Sequence, residues 1–407
     1  MKKRITFSQT LFLMPLLLLL GIFAIYPIVT SAVYSLFDYR TNDQSVAGLY
    51  TSSQFNAPLF YEDAGYITWY LDDDATLLED AADKATAQSI IKEIDEMVAE
   101  YEETKEVISM DDATSQAILD KMAKYNTDIK ALYSKNSSVE FYNGYDKLSV
   151  LFDEINTCKI SNNFSGISAY KQLLSDTRFG DSLGTTIIFT VVSVFFEFVL
   201  GLALALIMNK AIKGIGIVRT VSLIPWAIPT AVSALMWSYM YDGSYGVVAK
   251  IFTDLGFIAS PEVMLLTKGG AMAAAILADV WKTTPYMALL LLAGLQVIDK
   301  GLYESASIDG AGPIRTFFSI TLPLLKPSIL VALLFRTLDA FRVYDLIAVL
   351  TGGAQGTETL SIYAYKLMIN QSNYGYGSVV VLAMAACVGI ISFIFVKVLG
   401  AELLGDD

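Results

Sequence analysis

Gly301–Pro327 reads GLYESASIDGAGPIRTFFSITLPLLKP, a stretch of small, polar and prolyl residues between two runs apolar enough to cross a bilayer. Its first part is helical in pattern through Glu304, Ala306 and Ser307. Asp309-Gly310-Ala311-Gly312-Pro313 then forces a turn, because glycine reaches backbone conformations closed to other residues and proline fixes φ. Phe317, Phe318, Ile320, Leu322 and Pro323 follow, which predicts a short helix packed back on its neighbours. The product is a compact small-residue knob, suited to a cleft on another protein.

Outward from this knob, the chain is organised by apolar runs. Of its 407 residues 54% are hydrophobic and 17% charged, below the roughly 25% charge of soluble domains. A bilayer core about 30 Å thick needs about 20 apolar residues per helix. Six windows qualify: Leu11–Phe37, Leu183–Met208, Ile217–Tyr241, Ala271–Leu292, Ser328–Leu350 and Ser378–Leu399. The first is longer than the roughly 7–15 apolar residues of a signal peptide and is followed by no small-residue cleavage site, so it reads as a retained anchor after a short tail, residues 1–10.

Basic residues beside short loops set the orientation. With the N-terminus inside, nine fall on the cytoplasmic face: Lys2, Lys3, Arg4, Lys210, Lys213, Arg219, Lys300, Arg315 and Lys326. The short outer loops hold three, Lys250, Lys268 and Lys366. Both termini are therefore expected inside, and residues 38–180, between the first and second spans, outside.

That insert is acidic. Asp38 to Ser182 holds 27 Asp and Glu against 12 Lys and Arg, so the chain's net charge of −13 resides there. Leu77, Leu78, Ala81, Ala85, Ile90, Ile91, Ile94, Val98 and Tyr101 recur at three- and four-residue spacing. SMDDAT (Ser109–Thr114) supplies a helix cap, and Ala117, Ile118, Met122, Tyr125, Ile129 and Leu132 begin a second such run. A pair of amphipathic helices folded on each other is expected, serving to shield the outer face or to meet a partner there.

Several chemistries are disfavoured. The chain has no histidine, and its two cysteines, Cys158 and Cys387, are far apart, so neither a metal site nor a disulfide framework is expected. No Gly-x-x-x-x-Gly-Lys-Ser/Thr phosphate loop occurs, so nucleotide hydrolysis is not expected in this chain.

Charges inside apolar spans carry the remaining information, since they are costly in lipid and by default face a bundle interior or a watery cavity. Asp279, Lys282, Thr283 and Tyr286 are spaced i, i+3, i+4, i+7, one face of a helix. Arg336, Asp339, Ala340 and Val343 repeat that spacing in the fifth window, with Arg342 and Asp345 nearby on another face. Three acids balance three bases, which fits a neutral, hydroxyl-rich ligand: carboxylates accept from hydroxyls, and Lys and Arg donate to them. Tyr286 adds a ring face. The competing reading is structural ion pairing between helices. Glu197 stands alone in the second window and reads as structural. Trp226, Trp237 and Tyr239 read as packing residues, and Pro225 and Pro229 as a bend that frees backbone groups.

The knob resembles the EAA loop of ABC-importer permeases. Glu304, Ala306, Asp309, Gly310, Ala311, Phe317, Ile320, Pro323 and Pro327 match that pattern in order, and Ser305 replaces its usual first alanine. NNFSGISAYKQLLSDTRFGDSLGTTIIFT (Asn162–Thr190), IVRTVSLIPWAIPTAVSALMWSYMY (Ile217–Tyr241) and FRTLDAFRVYDLIAVLTGG (Phe335–Gly353) are similar to carbohydrate-importer permeases of the maltose-transporter MalF type. The insert is the main departure. The resemblance implies an all-α polytopic protein of the cell membrane with six transmembrane helices, residues 181–407 forming the permease core and 301–327 its coupling loop. It implies a second related permease, two copies of a cytoplasmic ATPase that holds the ATP and magnesium, and an extracytoplasmic sugar-binding protein. Glu304, Ala306, Asp309, Gly310, Ala311 and Arg315 would couple to the ATPase. Sugar-contacting positions of the maltose permease fall on Asp279, Lys282, Thr283, Tyr286, Arg336, Asp339, Ala340 and Val343. Trehalose or maltose is the ligand most resembled; other glycosides, monosaccharides and glycerol phosphate stand beside it. A stand-alone secondary transporter would need an internal repeat, absent here, and a sensor would leave the loop and the in-span charges without a role.

Overall fold

The computed structural model describes residues 7–210 and 214–400. Lys2, Lys3, Arg4 and Lys213, used above for orientation, lie outside the described residues. The chain forms two compact units, Met1–Ala169 with Gln371–Tyr376, and Tyr170–Asn370 with Gly377–Asp407. Among the described residues five helices are long and apolar enough to span a membrane, or six if one bent pair counts as a span.

The second unit is built on the Lys268–Val297 helix, the fourth span. Of its most apolar window 61% is buried, against 33% for the second span, Thr177–Met208. Alanines make this possible: Ala274, Ala275, Ala278 and Ala288 are buried and let neighbouring backbones approach. Gly201 serves the same end, since a Cβ there would stand 2.7 Å from Met287 Cγ and 3.3 Å from the Ala288 nitrogen. The opposite face of the second span, with Ile187, Ile188, Val191 and Phe195, is exposed and apolar, as a lipid-facing surface requires.

Two spans differ from their sequence windows. The third is broken: Ile215–Ala227 and Thr230–Met240 meet at 88°, as Pro225 and Pro229 foretell. The fifth runs from Pro313 to Phe341 rather than over Ser328–Leu350. The stretch after the knob is thus no separate packed-back helix but the start of the span. Prolines 323 and 327 mislead here. Pro323 lacks an N–H and would break the hydrogen-bond ladder, but a π-helical turn, Phe317–Thr321, absorbs the mismatch directly before it. The first span uses the same device, a π turn at Gly21–Ile25 ahead of Pro27.

The insert in the first unit has four helices rather than two: Ala57–Ala75, Ala81–Val98, Asp112–Lys135 and Gly144–Ile155. The second and third match the periodic runs. Asn56, Asp80 and Asp111 cap the first three, each accepting backbone N–H donors. A three-stranded antiparallel sheet ties the loops together, with Gln54–Phe55 between Ile108–Ser109 and Lys159–Ile160. Two-residue strands are too short for any periodic signal. Asn163 closes the root: its amide donates to the carbonyls of Asp38 and Gly48 and accepts from the Tyr50 N–H. Buried Asp74 joins three elements, accepting from Tyr133 Oη at 2.7 Å and from the backbone N–H groups of Asn143 and Gly144 at 2.9 Å.

One acid in this core is uncompensated. Asp63 is buried, and its Oδ2 has no hydrogen-bond partner among the described residues. Burial, with the charges of Glu154 and Glu62, pushes its carboxyl up to about 7. Burial first, and then the Asp63 charge, pushes the Cys158 thiol up to about 12. The folded insert therefore holds a proton that the unfolded chain releases near pH 4, so stability is full below that point and is lost as pH rises through about 7. Hydrogen exchange of residues 57–155 in the full-length chain, corrected for intrinsic rates, is expected to quicken from pH 5 to pH 8. Asp63→Asn should flatten that dependence; an unchanged slope in this variant would assign the effect elsewhere.

Candidate functional site

The break in the third span leaves carbonyls without helical partners. Lys282 takes them: its Nζ donates to the carbonyls of Trp226 at 3.3 Å and Ile228 at 2.5 Å. A cation at the C-terminal end of a helix is also favoured by the aligned peptide dipoles. Lys282 is thus the brace of the broken helix, which accounts for an ammonium in an apolar span.

Arg336 is the second anchor. It is 1% exposed and lies near the C-terminal end of the fifth span. Its Nε and Nη2 donate to Glu197 Oε2 and Oε1 at 2.6 and 2.7 Å, a two-pronged pair across two helices. Nη2 also reaches Asp279 Oδ2 at 3.1 Å, and Nη1 donates to Asp339 Oδ2. Thr283 Oγ1 donates to Glu197 Oε1 at 2.7 Å. Three spans are therefore joined through one guanidinium, and the full use of its donor fork offsets part of the cost of taking charges out of water.

In front of this cluster lies a cavity of about 480 Å³, walled by the break residues Trp226–Thr230, by Asp279, Lys282 and Thr283, and by Arg336–Leu346 in part. Its charged side chains divide by exposure. Glu197 behind it is 0% exposed, and Asp279, Lys282 and Arg336 are buried. Asp339, whose side chain is 68% exposed, faces open space with Arg342 and Asp345. The helix stops at Phe341 and a new one starts at Asp345, so the chain turns between Arg342 and Asp345 and brings both into the same cavity as Asp339. Extended as one helix, the sequence had put them on another face. Trp226 and Tyr286 stack at 5.5 Å with their planes 12° apart.

Of the residues singled out from sequence, Asp279, Lys282, Thr283, Arg336, Asp339, Ala340 and Val343 line this cavity. Tyr286 reaches it only through its stack on Trp226, which is itself a lining residue rather than a packing one. Trp237 is packed, buried against Tyr241 at 5.1 Å. Glu197 does not stand alone but is the main partner of Arg336. A signal for it was present: Ser182, Thr186, Thr190, Ser193 and Glu197 recur every three or four residues, and all are buried. Such a polar stripe in an apolar span marks the face turned inward.

The knob forms its own local unit. Lys300–Ile308 is helical, and Gly310 follows at φ +75°. The Ala311 N–H donates to the Ala306 carbonyl and the Gly310 N–H to that of Ser307, the pair of bonds that closes a Schellman cap. Ala306 is buried, Ala311 half-buried, and Glu304, Asp309, Gly310 and Arg315 are exposed, flanked by exposed Ile308 and Ile314.

Comparison with known proteins places this architecture. Residues 197–404 match the family "Binding-protein-dependent transport system inner membrane component". The chain is 47% identical over 237 residues to the trehalose/maltose transport system permease protein MalF of Thermococcus litoralis, covering 58% of this chain and 79% of that protein. It is 42% identical over 244 residues to the trehalose transport system permease protein SugA of Mycobacterium tuberculosis, covering 60% and 78%. The fold resembles a chain of a bacterial ABC transporter that imports alginate, with a TM-score of 0.52 at 23% identity over 56% of this chain and 82% of that one. The chain belongs to the binding-protein-dependent transport system inner membrane component family and is a multi-pass inner-membrane permease of the MalF type, a transport subunit of an ABC importer and not an enzyme.

Proposed function

We propose that this permease forms part of the path of a neutral di- or oligosaccharide such as trehalose or maltose, delivered by an extracytoplasmic binding protein. The observation that carries the reading is the division of charge in the cavity. Glu197, Arg336, Asp279 and Lys282 are buried and bonded to one another or to backbone, whereas Asp339, held by Arg336 through one carboxylate oxygen, Arg342, held to the Leu338 carbonyl through Nε, and Asp345 are exposed to the cavity. Two acceptor groups and one donor group suit hydroxyls, and the Trp226–Tyr286 stack offers a ring face to a pyranose. The related permeases named above are trehalose/maltose and trehalose transport proteins, which supports the same class here.

In this reading both termini are cytoplasmic and the acidic insert is extracytoplasmic. A second permease completes the path, and two ATPase copies, holding ATP and magnesium, dock on the knobs, with Glu304, Ala306, Asp309, Gly310, Ala311 and Arg315 transmitting the stroke. An alginate transporter has been solved with its alginate-bound periplasmic protein, which supports a delivering partner.

The test is uptake of trehalose and maltose by the assembled transporter in proteoliposomes carrying Asp339→Ala or Arg342→Ala. A hydrogen bond to a charged group contributes about 1.5–3 kcal/mol, so each variant is expected to lower uptake at least tenfold while assembly and basal ATPase activity persist. Undiminished uptake in both would remove the cavity from the sugar path.

A further inference from the structure

A second ring surface lies on the insert. Tyr66 and Trp69, 42% and 62% exposed, stand on the outer face of the Ala57–Ala75 helix. With Tyr70 they form a continuous strip: Trp69 to Tyr70 is 5.2 Å at 32° between planes, and Tyr66 to Tyr70 is 6.1 Å at 35°. The opposite face of the helix, through Phe60, Ala64, Ile67 and Leu71, supplies the core. Tyr70 also packs against that core, but Tyr66 and Trp69 do not, and two exposed rings on so acidic a domain need another reason.

One edge of the strip is polar and held in place. Lys147 Nζ lies 5.6 Å from the Tyr70 ring centre and donates to Asn143 Oδ1 at 3.1 Å; Asn143 Nδ2 donates to Asp73 Oδ2 at 3.2 Å. Asp74 fixes Asn143 from below through its backbone N–H. Beside the rings, Gly65 leaves open space: a Cβ there would meet nothing within 4 Å. A glycine inside a helix costs about 1 kcal/mol relative to alanine, and here it keeps the surface flat between Tyr61 and Trp69, one turn to either side.

We propose that this strip is a carbohydrate-binding platform, distinct from the cavity between the spans. The exposed Tyr66 and Trp69 rings, 6.4 Å apart with their planes at 51°, offer successive faces to the C–H faces of a twisted glycan chain, while a carboxylate, an amide and an ammonium along one edge match its hydroxyls. The 27 acids against 12 bases of Asp38–Ser182 repel an anionic ligand, which among glycans favours a neutral one over an acidic one. The platform would raise the local concentration of the saccharide; it rests on the carbohydrate reading of the permease for its choice of probe.

The experiment is equilibrium binding of maltotriose to the full-length chain in nanodiscs, in an Asp339→Ala/Arg342→Ala background that weakens the cavity. Saturable binding is expected to persist in that background, to weaken at least tenfold on Trp69→Ala or Gly65→Leu, and to be largely retained with Trp69→Phe. Gly65→Leu leaves every ring in place and fills only the open space, so it separates loss of the surface from loss of a side chain. Absence of binding in the background, or binding indifferent to Trp69→Ala and Gly65→Leu, overturns the platform. Neither outcome bears on uptake through the cavity, which the Asp339 variant tests by itself.

Discussion

Arg336→Met is expected to lower the melting temperature of the detergent-solubilised chain by about 10 °C and to reduce its accumulation in the membrane. The guanidinium is 1% exposed and faces Glu197 and Asp279, which are buried on two other spans. Removing it leaves two carboxylates without a counter-charge, and breaking a buried pair from one side costs roughly 3–5 kcal/mol. At roughly 2–4 °C per kcal/mol for a domain of this size, that gives the expected shift. Adding Glu197→Gln and Asp279→Asn removes the stranded charges and should restore most of the lost stability, though not uptake. If Arg336→Met alone melted and assembled like its parent yet failed in uptake, Arg336 would be a ligand group and not the anchor described above.

Gly310→Asp is expected to abolish co-purification of the ATPase and to lower uptake more than tenfold, with little change in the stability of the chain itself. Gly310 occupies the left-handed position of the Schellman cap at φ +75°, and a Cβ there meets nothing within 4 Å. Asp tolerates this conformation better than most residues, so the internal cost is about 1 kcal/mol. The lost function comes from a new carboxylate on an exposed docking surface. Gly310→Asn has nearly the same shape without the charge and should keep most of the association. Normal uptake by the Asp variant would mean that the knob is not the coupling surface.

The spans and the knob were legible because their signals are local. Twenty apolar residues, or a glycine and a proline after a short helix, mean the same thing in most surroundings. Proline was the exception. Pro225 and Pro229 broke a helix, whereas Pro323 did not, because a π turn lay directly before it. Whether the backbone can slip register depends on neighbours that no local pattern contains. The first and fourth insert helices were missed for a related reason. Three acids, Asp72, Asp73 and Asp74, close the first and hide its apolar face, and the fourth spans only Gly144–Ile155.

From the sequence alone follow the multi-pass membrane fold, the acidic insert, the turn at Asp309–Gly312 and the membership of charged residues in two helical faces. Only the tertiary structure decided what each charge does. Lys282 finds its partners 54 and 56 residues away, at carbonyls that exist as acceptors only because the third span breaks. Arg336 finds Glu197 across 139 residues and Asp279 across 57. Periodicity tells which residues share a face of one helix; which face of another helix lies opposite, and where a helix stops, depends on packing. That is why Glu197 read as solitary, and why Asp339, Arg342 and Asp345, split between faces in the sequence, open on one cavity.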